Sequence, residues 1–452
     1  MSNNSDTIYS RLVDDRVDEG VFRIDRDIYL NEDVYEKEID VFFEKGWVYL
    51  CHESQVKEAG DYFSTHIGRQ PVFLLRQKDG SLSGFLNACA HRASMLVPLR
   101  QGRARTLTCR FHGWVFDSQG KCIKIKDENT GAYPENFACK EHFRLTRVAK
   151  VESYGGFVFG SLNENAPPLE AYLGAAKSFI DMFSQQSPDG MEIVAGSSTY
   201  VGHHNWKLQV ENVVDGYHVT TVHRNFASTI MRRDERPGYD AMMKTDTGRM
   251  RGAVANGCYD LGHGHMAIWV DRADLEAAPL HASRDRIEGR VEPELANWML
   301  RRGRNLMVFP NLVLNDLAST HLRVHRPLGP GLTEITIWCI APVGEPREAR
   351  IARVRKFEDF FLVSGMATSD DLVSMDVAHG GARARGARWN EFLRGMDSVV
   401  EGPDERATAL GFHPVTSNSS WDHETPYIGL YRYWRDQLIA NDQNGADTAE
   451  AV

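Results

Sequence analysis

The sequence lacks the features that mark several large protein classes. It has no apolar run long enough to cross a bilayer, and Met1–Asp6 lacks the basic and then apolar order of a signal peptide. A net charge of −10 disfavours nucleic acid as a partner, because phosphate binding needs clustered Lys and Arg. Seven cysteines, an odd number scattered along a long chain, favour reduced thiols and metal ligands over a disulfide framework. We therefore expect a cytoplasmic protein that binds small molecules and other proteins, but no nucleic acid and no membrane.

The length of the chain predicts more than one domain. A chain of 452 residues exceeds what one hydrophobic core usually supports, and 42% apolar residues can fill two cores. From about Gly60 to Leu162, short strand-like segments alternate with turns such as Lys78–Gly80, which is typical of a compact antiparallel β domain. The run Asn163–Pro168 is expected to be the linker that leaves this domain.

The remainder mixes helical and strand patterns. We expect helices from about Leu169 to Phe183 and from Arg347 to Val363, with strands at Ser198–Val201, Leu306–Phe309 and Glu334–Trp338. This predicts an α+β domain with helices around an antiparallel sheet. The proposed division is an N-terminal segment of residues 1–40 packed on the larger domain, a small β domain of residues 41–162, a larger domain of residues 163–440 and a disordered polar tail of residues 441–452.

Two Cys-His pairs form the first candidate metal site. Cys89 and His91 lie two positions apart, and Cys109 and His112 lie three positions apart in a later segment. Tight spacing of this kind places two thiolates and two imidazoles on neighbouring β loops, where they can converge. A Cys₂His₂ set can also hold zinc, which is the structural alternative. Because each loop carries one ligand of each kind, the order better suits a [2Fe–2S] cluster with one iron on thiolates and the other on imidazoles.

Asp215, His218 and His223 form the start of a second site. On a helix, Asp215 and His218 would be neighbours one turn apart, so that the carboxylate could hold the imidazole. His223 lies five positions beyond His218, so the helix must end or distort if both histidines face one metal, and the β-branched run Val219–Val222 makes this reasonable. Alternatively, Asp215 is a solvated helix charge, although its apolar neighbours argue that it is enclosed.

A carboxylate further along the chain would complete the second site. The segment Thr368–Leu372 follows a long helix and starts another helical pattern. Its simplest role is structural, with Ser369 or Asp370 capping the new helix. Paired with the two histidines, however, one aspartate would give the two-histidine, one-carboxylate triad that leaves open positions on Fe(II) for dioxygen.

With both constellations in place, the sequence resembles the Rieske non-haem iron ring-hydroxylating oxygenases over nearly the whole chain. It is most similar to the large subunits that act on benzoate, toluate, anthranilate and aniline. The stretches that carry this resemblance besides the metal motifs are Leu12–Asp15, Gly20–Arg23, His52–Gln55, Ile67–Pro71 and Ser364–Thr368. One difference is Ala93, which stands where the benzoate type usually has glycine.

The resemblance implies specific roles for individual residues. The residues matching the cluster ligands are Cys89, His91, Cys109 and His112. The residues matching the ligands of the mononuclear Fe(II) are His218, His223 and Asp371. Asp215 matches the aspartate that links an iron-bound histidine to a cluster histidine of a neighbouring subunit, and through it electrons would cross the subunit boundary. Val219 and Phe361 correspond to positions of the substrate pocket, although each would equally suit an ordinary core.

The resemblance also implies an activity and partners. The expected enzyme dihydroxylates a small aromatic ring with dioxygen and electrons from a reductase, with or without a ferredoxin, giving a cis-diol or a catechol. The expected assembly is an α3 trimer of large subunits or an α3β3 complex with small β subunits. A Rieske monooxygenase or demethylase would share every metal ligand, and a zinc-stabilised binding protein without catalytic activity is a rival from another class.

Several arginines lie close to the first candidate site in the sequence. Their positions are Arg92, Arg100, Arg103, Arg105 and Arg110. One interpretation is a docking surface for an acidic electron donor, which a basic face would steer electrostatically. The other is an ordinary solvated loop surface.

Overall fold

The computed structural model divides the chain into two compact units. One unit comprises Met1–Val41 with Glu170–Val452, and the other comprises Phe42–Leu169. The residues that the structure describes are 7–134, 137, 142–238, 240–244, 246, 254–317 and 319–449, with side chains described up to 443. We call the stretch 42–169 the small unit and the rest the large unit.

The N-terminal segment belongs to the large unit. It consists of α1 (Ile8–Leu12), β1 (Val13–Arg16), β2 (Val21–Asp25) and α2 (Glu32–Glu38). The two strands form an antiparallel hairpin whose turn uses Gly20 at φ +72°, a conformation that glycine adopts without strain.

The small unit is built from short antiparallel strands. They are β3 (Val48–His52), β4 (Asp61–Ile67), β5 (Gln70–Arg76), β6 (Leu82–Leu86), β7 (Gln101–Arg103), β8 (Leu107–Thr108), β9 (Val115–Phe116), β10 (Cys122–Lys124), β11 (Lys150–Tyr154) and β12 (Phe157–Ser161). They form sheets in the orders β11-β12-β3, β6-β5-β4-β7 and β10-β9-β8. The predicted strands and turns of this region therefore appear as expected, with a glycine of positive φ at Gly80.

The large unit places helices around a long antiparallel sheet. Its helices are α3 (Leu169–Leu173), α4 (Ala176–Ser184), α5 (Trp206–Val213), α6 (Val219–Val222), α7 (Arg224–Asp234), α8 (Arg284–Glu288), α9 (Pro293–Arg301), α10 (Arg347–Phe360), α11 (Thr368–Ala382), α12 (Glu405–Leu410) and α13 (Thr425–Ala449). Its further strands are β13 (Met191–Ile193), β14 (Ser198–Gly202), β15 (Asn256–Gly262), β16 (His265–Asp271), β17 (Arg302–Val308), β18 (Leu312–Asn315), β19 (His321–Gly329), β20 (Leu332–Pro342), β21 (Trp389–Glu391), β22 (Val400–Glu401) and β23 (Thr416–Asn418).

The main sheet has the order β13-β20-β19-β18-β17-β16-β15-β23-β22, with β14 also paired to β20. In its centre, Ile268 of β16 pairs with Asn305 of β17, which pairs with Asn315 of β18, and Val313 of β18 pairs with Arg323 of β19. Paired residues and residues two apart share a face of a sheet. One face of the sheet therefore presents a row of polar and apolar side chains from four strands. The predicted α+β class is confirmed.

Two predicted helices and the predicted C-terminal tail differ from the structure. The helix expected from Leu169 to Phe183 is broken after α3 at Gly174, whose φ of +48° cannot continue a helix. The helix expected to reach Val363 ends at Phe360, because the chain turns so that the Gly365 amide donates to the Leu362 carbonyl.

Among the described helices, none is long and apolar enough to cross a membrane.

The tail expected to be disordered from residue 441 is helical as far as Ala449. It continues α13, whose buried Trp434 and Leu438 fix the helix axis on the large unit. Asp442 forms an ion pair with Lys37 of α2, so tertiary contacts extend past the start of the polar stretch. Residues 450–452 lie outside the described residues.

Candidate metal centres and the adjoining cavity

The two Cys-His pairs lie on two loops of the small unit that share one turn geometry. Cys89 follows β6 and Cys109 follows β8. In each loop the cysteine carbonyl accepts a 2.9 Å hydrogen bond from the amide four residues later, which is that of Ala93 in the first loop and Gly113 in the second. Ala93 and Gly113 both have left-handed backbone, at φ +55° and +75°. The sequence folds twice into the same turn, and each turn presents one cysteine.

Ala93 holds this turn at an energetic cost. A residue with a Cβ in the left-handed region is disfavoured by about 1–2 kcal/mol relative to glycine. Ala93 therefore stands where the backbone itself favours glycine. The turn geometry is kept despite the side chain.

The two cysteines and the two histidines lie in different environments. Cys89 and Cys109 are buried in the core of the small unit together with Trp114. His91 is exposed and His112 half-buried, and their rings meet edge to face with centroids 4.6 Å apart. His91 also stacks on Trp114 at 4.7 Å. The two thiols thus lie on the core side and the two imidazoles on the solvent side.

The electrostatic environment of the thiols suits bound metal. Burial raises the pKa of Cys89, which also hydrogen-bonds to Cys109. Burial acts in the same direction on Cys109, but the backbone amides of Phe111 and His112 donate to its sulfur, and the net effect lowers the pKa of that thiol. Amides aimed at sulfur are the usual setting of an iron–sulfur cluster, and a set of two thiolates and two imidazoles fits a [2Fe–2S] cluster.

Asp215 and His218 do not share a helix, although the expected contact between the carboxylate and the imidazole is present. α5 ends at Val213 and α6 begins at Val219, and both residues lie in the turn between them. Asp215 Oδ1 accepts hydrogen bonds from the amides of Tyr217 at 2.8 Å and His218 at 3.2 Å. A short carboxylate that binds nearby amides competes with the helix, which explains the break. The expected distortion before His223 is present, because α6 ends at Val222.

Gly216 fixes this turn against the rest of the large unit. Its amide donates to the Trp421 carbonyl at 3.1 Å. A Cβ at Gly216 would lie 2.6 Å from the Trp421 ring and carbonyl oxygen, closer than any side chain tolerates. The close backbone approach therefore requires glycine and sets where Asp215 and His218 point.

His218, His223 and Asp371 converge on one point. The two Nε2 atoms lie 3.2 Å apart, and Asp371 Oδ1 lies 3.3 Å from His218 Nε2 and 3.1 Å from His223 Nε2. Within the described residues, this is the group of three or more His, Cys, Asp or Glu side chains whose ligand atoms gather as closely as a metal ion requires. Two imidazole nitrogens and one carboxylate oxygen are the donor set of the facial triad of non-haem Fe(II) enzymes.

Charge interactions hold this group together. Burial opposes ionisation of both partners, but hydrogen bonds with Asp215 and Asp371 raise the pKa of His218 to about 10. The two imidazoles hold the pKa of Asp371 well below its usual range, although burial acts in the opposite direction. On the other side of the ring, His218 Nδ1 lies 3.1 Å from Asp215 Oδ2. A carboxylate behind a metal-binding histidine fixes the ring and its tautomer.

Neither Ser369 nor Asp370 caps α11. The helix begins at Thr368, and its N-cap position is Ala367, which offers no capping side chain. Asp371, on the first turn, is the aspartate whose side chain reaches both histidines. Of the two adjacent aspartates, the geometry therefore selects the second.

A cavity adjoins the triad in the large unit. Its floor is the row of side chains on the main sheet, and its walls come from α5 to α7 and from the end of α10. The lining residues are Asn212, Val213, Asp215, His218, Val219, His223, Phe226, Ile268, Asn305, Val313, Asn315, Leu317, Arg323, Phe360, Phe361, Asp371 and Trp421. Both predicted pocket positions, Val219 and Phe361, are among them. Nine of the seventeen lining residues are apolar and eight are polar or charged. A concave site that combines apolar walls with polar groups is typical of small-molecule binding.

Sequence reasoning missed the polar residues of the cavity floor, above all Arg323. In β19 the residues His321, Arg323 and His325 alternate with Leu322 and Val324, which predicts a strand with a solvated polar face. The structure buries all three polar side chains instead. The missed signal is the strand's place at the centre of the sheet, which the local pattern does not contain.

The five arginines near the cluster loops are all exposed. Arg103 pairs with Asp61 at 2.7 Å, so part of the positive charge is balanced within the small unit. The structure thus provides a basic surface beside the exposed His91.

Two family models match the chain in consecutive parts. Residues 46–147 match the Rieske [2Fe-2S] domain. Residues 193–409 match the ring hydroxylating alpha subunit (catalytic domain). The first match contains both Cys-His loops, and the second contains the histidine and aspartate triad.

Similar proteins extend over nearly the full length. Toluate 1,2-dioxygenase subunit alpha of Pseudomonas putida is 44% identical over 95% of this chain and 93% of its own. The 2-halobenzoate 1,2-dioxygenase large subunit of Burkholderia cepacia is 40% identical over 93% of this chain and 90% of its own. The anthranilate 1,2-dioxygenase large subunit of Acinetobacter baylyi is 36% identical over 96% of this chain and 92% of its own. Among solved structures, naphthalene 1,2-dioxygenase with indole in its active site has 26% identity and a TM-score of 0.78, over 94% of this chain and 93% of that one.

Proposed function

Since this chain belongs to the ring-hydroxylating dioxygenase large (alpha) subunits, we propose that its two ligand constellations hold the two metal centres of that family. The observation that carries the proposal is the convergence of His218, His223 and Asp371 at the wall of a cavity. The predicted resemblance to the benzoate, toluate and anthranilate branch is confirmed by the relatives.

The protein is the large subunit of an oxygenase that adds both atoms of dioxygen to a small monocyclic aromatic compound. Its cofactors are a Rieske [2Fe–2S] cluster and a mononuclear iron. The product is a cis-diol, or a catechol where a ring substituent is lost. A monooxygenase or demethylase and a zinc-stabilised binding protein, both open on sequence grounds, are not favoured, because the three relatives described above are named as dioxygenases.

We assign the ligand roles residue by residue. Cys89 and Cys109 would hold one iron of the cluster, and His91 and His112 the other. His218, His223 and Asp371 would hold the mononuclear iron. When bound, the cluster stores electrons and the mononuclear iron supplies the positions at which dioxygen is activated.

Asp215 serves as a positioning residue in this proposal. Its Oδ2 lies 3.1 Å from His218 Nδ1, and its Oδ1 is held by two amides. The carboxylate therefore keeps the imidazole Nδ1 proton on the side away from the metal, leaving Nε2 free as a ligand. The family resemblance further implies that this aspartate connects to the cluster of a neighbouring subunit, and we propose that link here.

The cavity side chains bind and orient the ring. Phe226, Phe360 and Phe361 offer flat apolar surfaces, and Val219 lies next to the iron ligand His218 in the chain. Such walls exclude water from the reacting carbons and hold a planar substrate against the triad.

The wider assembly is also part of the proposal. Electrons would come from a reductase, with or without a ferredoxin, and the exposed arginines beside the cluster loops offer a basic docking face. An α3 or α3β3 complex with small β subunits is the expected form, in the cytoplasm. The six described cysteines are unpaired, which agrees with a reducing compartment.

A labelling experiment with a substrate panel tests the activity. The purified holoenzyme with a matched reductase is supplied with ¹⁸O₂ and benzoate, 3-methylbenzoate, anthranilate, aniline or toluene, and products are identified by mass spectrometry. A dioxygenase places two labelled oxygens in one product. One labelled oxygen in every product would identify a monooxygenase, and no product from any member of the panel would remove the proposed function.

A further inference from the structure

We propose that Arg323 binds the carboxylate of the substrate, so that this subunit selects aromatic acids over uncharged rings and anilines. The inference rests on the proposed function and adds a substrate class and a specificity-determining residue to it. Arg323 lines the cavity beside the metal triad and is only 7% exposed.

Arg323 differs from the other deeply buried arginines in having no acidic partner. Arg302, Arg304 and Arg353 are equally buried, and their partners are Asp271, Asp316 and Glu345 respectively. Within the described part of the chain, no carboxylate lies within 4.0 Å of the Arg323 guanidinium. Its Nε has no hydrogen-bond partner, and its Nη1 donates only a long 3.4 Å hydrogen bond to Gln209 Oε1.

A buried cation without a counter-ion is costly, and an anion that enters the cavity would remove that cost. Arginine stays protonated in proteins, so the charge cannot be relieved by deprotonation. The unused donors of a guanidinium match the two oxygens of a carboxylate. A substrate carboxylate would therefore gain a charge-assisted pair in a site that water hardly reaches.

The other groups around Arg323 do not compete for this role. His321 and His325 flank it on β19, and burial together with the charge of Arg323 lowers the pKa of both well below the ordinary value, so they stay neutral. The two carboxylates of the cavity, Asp215 and Asp371, are both engaged with His218. Arg323 is thus the one lysine or arginine among the lining residues.

A buried chain of hydrogen bonds orients the arginine from behind. Gln209 accepts from Arg323 through Oε1, and its Nε2 donates to His204 Nε2 at 2.9 Å. With Nε2 accepting, the His204 proton lies on Nδ1 and is donated to Asp376 Oδ1 at 2.6 Å. Burial lowers the pKa of His204, which agrees with a neutral ring. Every donor in this chain of hydrogen bonds points away from Arg323. The remaining donors of the Arg323 guanidinium therefore stay available to a ligand in the cavity.

Binding measurements on the holoenzyme test the proposal. Isothermal titration calorimetry compares benzoate with benzamide, which has the same shape but no charge, for the wild type, Arg323→Gln and Arg326→Gln. Arg326 lies on the same strand, outside the cavity lining, and pairs at the surface with Glu334. We expect Arg323→Gln to weaken benzoate binding about 30-fold or more and to change benzamide binding less than about threefold. Arg326→Gln should bind both ligands as the wild type does.

A further variant and the contrary results distinguish a wrong assignment of Arg323 from a wrong proposed function. Arg323→Lys keeps the charge without the planar fork, and it should retain part of the preference for benzoate even if Arg323→Gln folds poorly. Equal losses of benzoate and benzamide affinity in Arg323→Gln, or no loss of either, would overturn the assignment of Arg323. A wild type that dihydroxylates aniline or toluene but not benzoate would overturn it too, while leaving the proposed function intact.

Discussion

The Asp215 carboxylate makes two kinds of contact in the turn between α5 and α6. One oxygen holds the amides that begin the turn, and the other faces the Nδ1 of His218. Its side chain remains about one-third exposed, unlike that of Asp371, so it is reachable from outside the large unit. This exposure agrees with the proposed link from Asp215 to a neighbouring subunit.

Replacing Asp215 should separate metal binding from turnover. In Asp215→Ala we expect both metal centres to stay loaded, because all seven proposed ligands remain. Turnover should fall by about 100-fold, since the ring of His218 loses its orienting partner and the link to the neighbouring subunit. Iron and acid-labile sulfide content, measured beside steady-state product formation, check this.

Asp397→Ala removes an exposed aspartate far from these contacts in the sequence and serves as the control. It should keep full activity. Wild-type activity in Asp215→Ala would refute the role of this carboxylate, and loss of iron from the variant would reduce it to a purely structural one.

At the level of single residues, the sequence predicted the metal ligands better than the substrate contacts. His218, His223 and Asp371 were expected together, and the structure brings their ligand atoms within 3.3 Å of one another. Metal chemistry restricts the residue types so strongly that spacing and family pattern suffice. Arg323 was not foreseen, because nothing in its neighbourhood distinguishes a buried arginine from a surface one.

At the level of elements, β15 and α13 meet through a buried carboxylate. Asp260 of β15 is 5% exposed, and its Oδ1 accepts a 2.9 Å hydrogen bond from the Gly262 amide. Its Oδ2 lies where a Cβ of Gly429 would stand, so the side chain packs directly on the helix backbone. Burial raises the pKa of Asp260 from 3.8 to about 6.

This contact should make stability depend on pH. Because the pKa of Asp260 is raised on folding, its contribution is fully present below about pH 4 and is lost as the pH rises through about 6. Relative to Asp260→Asn, which cannot ionise, the wild type should lose up to about 3 kcal/mol over that interval. Melting temperatures of both proteins at several pH values measure the difference, and the other titrating groups cancel because the two proteins share them.

Asp397 is exposed and serves as the control. The difference in stability between the wild type and Asp397→Asn should stay nearly constant over the same pH range. A difference between wild type and Asp260→Asn that does not change with pH would contradict the buried ionisation. A wild type that gains stability relative to Asp260→Asn as the pH rises would show the opposite sign from the one expected.

Element types were predicted well, and element ends less well. Strands β14, β17 and β20 lie where strands were expected. The ends of α3 and α10 were missed, because each is set by a local hydrogen bond or a glycine that helical periodicity does not register. The late end of α13 was missed for the opposite reason, since its contacts with α2 come from the other end of the chain.

At the level of the whole molecule, the two metal centres belong to separate compact units. The proposed cluster ligands all lie between Cys89 and His112 in the small unit. The proposed iron ligands all lie between His218 and Asp371 in the large unit. Each site is therefore complete within its own unit, and loss of one metal should not empty the other.

Cys109→Ala tests this independence. We expect the brown colour, the acid-labile sulfide and the paramagnetic signal of the reduced cluster to disappear, while mononuclear iron remains bound. Reductase-driven turnover should be lost as well. Cys51→Ala is the matched control, because Cys51 is a fully buried cysteine of β3 in the same unit but outside the two loops.

The control should keep its sulfide and its activity. A Cys109→Ala protein that retains sulfide would argue against this cysteine as a ligand. Simultaneous loss of the mononuclear iron would show that the two units do not fill independently.

Length and motif order predicted more than one domain, and the expected boundaries at residues 40 and 162 stay a prediction. The strand order of the main sheet could not be predicted from the sequence, because β13 to β23 pair across long separations that no local pattern encodes. The cavity could not be predicted for the same reason, since its floor is formed by side chains from four strands.

Helix α11 carries both Asp371, the carboxylate of the triad, and Asp376, the outer end of the chain that reaches Arg323. The two acids are five residues apart on one stiff rod. Asp371 contacts the two histidines directly, and Asp376 contacts His204 behind Gln209 and Arg323. A substitution that displaces α11 would therefore act on the proposed iron ligands and on the support of Arg323 together.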